Sequence, residues 1–274
     1  YAQRRKYAMR GDSSPRRPGR PEYLDGLLRE FRQSNFVVYL QPLYGVEQGA
    51  VIGAEALVRK IDEEGNVHAP FEFVHMMEEE NLISVVDYEM LEQSCRLLKE
   101  VGEHWPGFQL SCNMSRNTLA ELDYLDRIDD ILTRTGVDHS QLIFEVTESS
   151  RGLQLESIED RLNALKARGI AVAVDDMGTE CSCLEMLYLP QLDLVKIDRS
   201  LISKTGHGPR EQAVIGSLID LCHKLGLGCI AEGIETKEQG ELLKSLGCDR
   251  LQGYYFGRPM PPQEFFARFG PGAK

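Results

Sequence analysis

Ile170-Ala-Val-Ala-Val-Asp-Asp176 decides the fold and points at the chemistry. An unbroken apolar run of this kind reads as a buried parallel strand with protein on both faces, because a strand with one wet face alternates. The run ends in two adjacent carboxylates, Asp175 and Asp176, a costly placement unless something cationic lies between them. The same event recurs along the chain. Other apolar segments end at Glu55, Asn113, Glu145, Lys196 and Glu232.

Outward from this stretch, strand-like and helix-like segments alternate. Residues 36–40 and 51–58 read as strands, joined by a hairpin turn over residues 44–49. Further strands are expected at 108–113, 142–146, 170–175, 194–197, 228–231 and 250–256. Helical patterns fall at 70–80, 85–102, 119–135, 155–168, 210–225, 236–246 and 262–269, with shorter pieces at 21–32 and 184–189. Eight strands alternating with helices over about 235 residues, with no break in composition, predict an α/β fold: a (β/α)8 TIM-like barrel in a single domain. A doubly wound open sheet would need a glycine-rich phosphate loop after its first strand, and Gly45 and Gly49 do not form one. The first hairpin makes one barrel strand antiparallel to its neighbour.

Charge is unevenly spread. Residues 1–20 carry seven Arg/Lys against Asp12, a formal +6, whereas the remainder carries 24 basic and 42 acidic residues, a formal -18. We therefore expect residues 1–20 to be a basic flexible arm or linker and residues 21–274 to be the barrel domain. An acidic body argues against a nucleic-acid polymer as partner. No apolar stretch reaches the roughly 20 residues of a membrane span. The odd, scattered set of seven cysteines fits a reducing cytoplasm, with Cys95, Cys112, Cys222, Cys229 and Cys248 as buried thiols. No C-x-x-C pair and no His pair at helical spacing marks a metal site. Cys181 and Cys183 differ, because they fall in the loop beside the carboxylate pair, where a redox role is open to them. A first residue other than Met leads us to expect an upstream sensory or regulatory domain.

Barrel enzymes place their chemistry at the C-terminal ends of the strands. The polar residues collected there are Gln41, Glu55, Asn113, Glu145, Glu148, Asp175, Asp176, Lys196, Glu232, Glu235 and Gln252. Singly, each has an ordinary explanation. Glu148 and Glu235 suit helix N-caps or turns, and Gln41 and Gln252 suit surface turns. Lys196 within an apolar strand is different, since a buried lysine needs a partner charge. Their joint occurrence argues for an enzyme. Several carboxylates in one mouth repel, and divalent cations resolve that conflict. Carboxylates and an amide, without His or Cys, are hard oxygen donors that favour Mg²⁺ or Mn²⁺. The Asp175-Asp176 pair suits two ions with one side chain bridging, the usual clamp for attack on a phosphodiester. A glycosidase would use paired carboxylates without metal and with an aromatic platform, against which the single Trp counts.

The motif Glu55-Ala-Leu-Val-Arg59 resembles the signature of the EAL domain, the bacterial cyclic-di-GMP phosphodiesterase family. Gln41-Pro-Leu43, Ser111-Cys-Asn-Met-Ser115, Phe144-Glu-Val-Thr-Glu148, Asp175-Asp176, Val195-Lys-Ile-Asp-Arg-Ser200, Ala231-Glu-Gly-Ile-Glu-Thr236 and Gln252-Gly-Tyr254 follow the family's order, from about residue 24 to 269. The resemblance implies metal-dependent hydrolysis of cyclic-di-GMP to linear pGpG, on a barrel whose first strand is antiparallel. It implies that Glu55, Asn113, Glu145, Asp175 and Asp176 hold the metals, and that Glu232 and Lys196 serve the attacking water. It implies substrate contacts from Gln41, Leu57, Arg59 and Gln252, and a loop anchored by Glu148 and Glu235. A homodimer is a further implication. In the loop after the Asp pair, Met177 stands where the family has an aromatic residue, Glu180 where it has glycine and Cys181 where it has tyrosine. The alternative reading of this fold is a catalytically weak or inactive cyclic-di-GMP receptor.

Overall fold

Alternation along each strand sorts its side chains between two separate cores. In the computed structural model, which describes residues 35–147, 155–178, 186–203 and 208–272, nine strands form one sheet. They are β1 (Asn35–Gly45), β2 (Ala50–Ile61), β3 (Val67–His68), β4 (Gln109–Met114), β5 (Leu142–Thr147), β6 (Ala171–Met177), β7 (Leu194–Ile197), β8 (Gly228–Ala231) and β9 (Arg250–Gln252). Their order is β1-β9-β8-β7-β6-β5-β4-β2-β3, and a β1–β2 pairing closes eight of them into a barrel. β1 is antiparallel to both neighbours, through Gln41↔Glu55 on one side and Leu43↔Gln252 on the other. The pairings from β2 through β4 to β9 are parallel. The expected TIM-like barrel with an antiparallel first strand is the observed one. Only the two-residue β3, paired to the outer end of β2, lies beyond the expectation.

Inside the barrel, Leu43, Ile143, Ala173, Leu194 and Ile230 form a small apolar plug, with Ile52 and Ala171 packed on it. Their neighbours in sequence, among them Phe144, Val172, Val174, Val195 and Cys229, belong to the larger core under the helices. A strand buried on both faces has no place for a polar residue along its length, hence the unbroken apolar runs. Two residues beyond the plug, about 6–7 Å up the strand, the inward face reaches the barrel mouth. There stand Glu145, Asp175, Lys196 and Glu232. On the reversed β1 the mouth residue, Gln41, precedes its plug residue, Leu43.

The helices seal the outer face. Helix Ile83–Val101 buries Ile83, Val86, Met90, Leu91, Cys95 and Leu98, at three- and four-residue spacing. The five cysteines expected in the core are buried free thiols. Several boundaries differ from the sequence reading. β1 runs on through Tyr44 and Gly45, so the hairpin turn is confined to residues 46–49, closed by Gly49 at φ 62°. The segment 70–80 starts as a 3-10 turn, Pro70–Glu72, before helix Val74–Glu79. The segment 119–135 splits into helices Arg116–Ala120 and Tyr124–Thr135, because Glu121 is extended (ψ 144°). Its carboxylate is engaged there by the Tyr88 hydroxyl at 2.9 Å. The last strand ends at Gln252, since residues 253–256 fold into a turn in which the Tyr255 N–H reaches the Ile234 carbonyl at 3.0 Å. The basic arm, the segment 21–32, Glu148, Glu180, Cys181 and Cys183 lie outside the described residues. Among the described residues no helix is long and apolar enough to cross a membrane.

Phe144 is fully buried between barrel and helices, whereas Leu122 is 99% exposed. Phe144→Ala is expected to lower unfolding free energy by about 3–5 kcal/mol. Leu122→Ser should change it by less than about 0.5 kcal/mol. Urea unfolding followed by far-UV circular dichroism checks both.

Candidate active site

β7 is buried along its whole length, so Lys196 enters the barrel interior with no water to solvate its ammonium. Four carboxylates take water's place. Lys196 Nζ lies 2.6 Å from Glu145, 2.8 Å from Glu232 and 3.3 Å from both Glu55 and Asp175. These acids come from β2, β5, β6 and the residue after β8, which only barrel closure brings to one point. Glu55 is held on both oxygens. Gln252 Nε2 donates to one at 2.7 Å, and Asn113 Nδ2 donates to the other at 3.1 Å. Gln252 also donates to Gln41 Oε1 at 3.3 Å, and Gln41 Nε2 to the Gly257 carbonyl at 3.5 Å.

Burial and charge divide these acids. Burial raises Glu55, but the Lys196 ammonium and the two amide donors outweigh it and hold its carboxyl below the ordinary value. Burial and the Glu55 charge push Glu145 well above its ordinary value, against the pull of Lys196. Burial likewise pushes Glu232 up to about 8, although Lys196 is in contact. Burial alone would lower Lys196, yet Asp175, Glu145, Glu232 and Glu55 together raise it well above the ordinary lysine value. One ammonium is thus shared among four carboxylates.

The Asp pair sits on a distortion. The β6–β7 register passes from Val174↔Val195 to Met177↔Ile197, skipping the two aspartates. Asp176 has φ 61°, in the left-handed region. Consecutive residues of a regular strand point to opposite faces, and a bulge with a left-handed residue lifts that restriction. The Asp176 N–H closes back on Asp175 Oδ1 at 2.8 Å. Such strain persists where surrounding structure holds it and is concentrated at functional sites.

Seven of the expected residues, Gln41, Glu55, Asp175, Lys196, Glu232, Glu235 and Gln252, line one cavity of about 250 Å³. Leu57 and Asn113 line an adjoining cavity of about 280 Å³ between the barrel wall and helix Ile83–Val101, and Glu55 borders both. Arg59, Asp176 and the buried Glu145 line neither cavity. The Arg59 guanidinium donates to the Val58 carbonyl at 2.8 Å and lies 5.3 Å from the Tyr39 ring centre. The Glu235 N–H donates to Gln239 Oε1 at 2.9 Å at the start of helix Lys237–Ser245. Its expected partner Glu148 lies outside the described residues.

Three residues that the sequence reading passed over also serve the mouth. Arg199 and Tyr254 line the first cavity. Asp87, on helix Ile83–Val101, is 6% exposed and accepts the Ser115 N–H at 2.9 Å and the Thr118 hydroxyl at 2.6 Å. It fastens the turn just past Asn113, and burial pushes its carboxyl up to about 6. An acid on the apolar face of an amphipathic helix, between Ile83 and Leu91, was the signal available for it.

A closed TIM-like barrel with its buried lysine and carboxylates at the C-terminal mouth defines a barrel with one composite polar site. Within that class the chain belongs to the EAL domain family, whose model matches residues 25–259. It is 32% identical over 87% of its length to the signaling protein YkoW of Bacillus subtilis, covering 30% of that protein. It is 31% identical over 87% of its length to the cyclic di-GMP phosphodiesterase RocR of Pseudomonas aeruginosa, covering 61% of that protein. The chain thus spans less than two thirds of each. Among solved structures, the PaMucR phosphodiesterase in complex with c-di-GMP superposes with a TM-score of 0.79 at 32% identity, over 88% of this chain and 98% of that one.

Removing the Lys196 ammonium leaves the four acids without their shared partner. Lys196→Met is expected to cost about 3–5 kcal/mol of stability in the presence of EDTA. Urea titration of the two proteins measures the difference.

Proposed function

We propose that this domain hydrolyses cyclic-di-GMP to linear pGpG with divalent metal assistance. The observation that carries the reading is the convergence of Glu55, Glu145, Asp175 and Glu232 on Lys196 at the mouth of an EAL-family barrel. RocR, by its name, acts on the same dinucleotide, and PaMucR holds it in its structure.

The site fits hard cations. Its donors are carboxylate and amide oxygens, and four carboxylates share the single Lys196 ammonium, which supports a place for added positive charge. Glu55, Asn113, Glu145, Asp175 and Asp176 would hold Mg²⁺ or Mn²⁺, two ions on this reading. When bound, the ions would neutralise phosphate charge and acidify a water.

The chain's own residues supply the rest. Lys196 Nζ and Glu232, 2.8 Å apart, bracket a place for the attacking water. Lys196 orients it as a donor, and Glu232 takes its proton. The water oxygen forms the new bond to phosphorus, the bond from phosphorus to the 3′ oxygen breaks, and that oxygen leaves as a hydroxyl, taking up the proton that Glu232 received from the water. The Gln41–Gln252 pair fixes Glu55 and presents amides to the ligand. Leu57 offers an apolar contact for a base, and Arg59, farther along β2, a charge-assisted contact to a phosphate. Glu148 and Glu235 anchor the loop after β6. A homodimer, a regulatory domain upstream and a cytoplasmic setting complete the proposal.

Incubation with cyclic-di-GMP and Mn²⁺ or Mg²⁺, resolved by chromatography, is expected to yield pGpG. EDTA and Glu55→Ala or Asp175→Asn should abolish it. Glu232→Ala is expected to lower kcat by about 10²–10⁴-fold with little change in cyclic-di-GMP affinity. Tight binding of intact dinucleotide by the native domain with metal present would instead make it a receptor.

A further inference from the structure

At the end of the barrel opposite the mouth, three segments meet around a sulfur. Cys229 is the second residue of β8, His223 lies in the last turn of helix Pro209–Lys224, and Asp249 immediately precedes β9. His223 Nε2 is 2.9 Å from Asp249 Oδ2, and the same oxygen accepts the Cys229 N–H at 2.7 Å. One donor atom each from His223, Cys229 and Asp249 lies within 4.8 Å of the others. Behind them the Cys222 thiol lies against Cys229, whose own thiol reaches the Ile219 carbonyl at 4.0 Å. Cys222 and Cys229 are fully buried, whereas His223 and Asp249 are exposed. Sulfur is thus presented from the protein side, and nitrogen and oxygen from the solvent side.

We infer that His223, Cys229 and Asp249 form a second metal site, chemically distinct from the mouth and matched to zinc, with the Cys222 sulfur adjoining. The donor types decide the metal. Imidazole nitrogen, thiolate sulfur and one carboxylate suit zinc, whereas the all-oxygen mouth suits Mg²⁺ or Mn²⁺. Zinc bonds of about 2.0–2.3 Å in a tetrahedron set donor separations of about 3.3–3.8 Å. The His223–Asp249 pair at 2.9 Å lies just below that range and every donor lies within 4.8 Å of the others, so displacements of about an ångström would bring the three to it. On binding, the Cys229 S–H proton passes to water. Thiolate and carboxylate then balance the two positive charges, and His223 binds as neutral imidazole.

The placement gives the site a consequence. It would tie the start of β8 and the residue before β9 to one helix. β8 leads to Glu232 and β9 carries Gln252, so the clip secures two strands that build the mouth from the far end. Zinc bound to the native form alone stabilises it by mass action.

The test uses the full chain stripped with EDTA and then loaded with Zn²⁺ or Co²⁺ beside excess Mg²⁺. The expected result is zinc retained after desalting and a thiolate-to-cobalt absorption band in the near ultraviolet, which an all-oxygen site cannot produce. His223→Ala, at an exposed position, should weaken zinc binding at least about 10-fold, the lower end of what loss of even an outer-shell partner costs. Cys229→Ser should abolish the cobalt band, and Cys95→Ser should preserve it. Equal zinc affinity in wild type and His223→Ala overturns the site, as does a wild-type protein without the cobalt band. Zinc binding abolished by Asp175→Asn alone overturns it too. His223→Ala decides the matter should Cys229→Ser fail to fold. None of these readings depends on turnover of cyclic-di-GMP.

Discussion

A single ammonium enclosed in a closed barrel, with four carboxylates within 3.3 Å, is the interaction on which the mouth of this protein depends. Barrel walls remove water, so every charge at that level must be answered by another side chain, a proton or an ion. Lys196 answers part of the negative charge. Lys196, with hydrogen bonds from Gln252 and Asn113, holds the Glu55 carboxyl below its ordinary value, while burial pushes Glu145 and Glu232 upward. The imbalance is the feature that supports the proposed cations. It also separates the roles of acids that look alike in sequence.

That arrangement rests on the plug beneath it. Leu43, Ile143, Ala173, Leu194 and Ile230 fill the barrel and deny water a path from below, and the next inward position on each strand becomes the floor of the site. The antiparallel β1 fits the same logic with its order reversed, delivering Gln41 beside Gln252. Asp176 is the exception to regular alternation. Its left-handed backbone and the skipped register beside it are local costs borne at the one place where two consecutive carboxylates leave a strand.

The two ends of the barrel differ in chemistry because different constraints shape them. The mouth gathers oxygen donors at strand ends, where loops leave room for a ligand. The far end gathers sulfur, imidazole and carboxylate where a helix end, a strand start and a loop cross. Membership of the EAL family accounts for the first. The second arises from residues at 222, 223, 229 and 249, in no spacing that a linear motif describes.

Much of the fold was legible in the chain. Unbroken apolar runs with polar exits located the strands of the barrel, and the Lys196 exit announced a buried cation needing partners. The segments with ambiguous local signals were read less well. Pro42 concealed that β1 continues to Gly45, and Glu121 broke a pattern that looked continuous. Gly253 led into a turn rather than more strand. By itself, then, the sequence determined the barrel, the antiparallel first strand and the set of polar strand ends, because these follow from local periodicity. Tertiary structure alone decided which acids meet Lys196, that Asp87 fastens the Asn113 turn, that Arg59 turns aside to Tyr39, and that His223, Cys229 and Asp249 converge. Those facts depend on closing a sheet and crossing segments far apart in the chain, and no local pattern carries that distance.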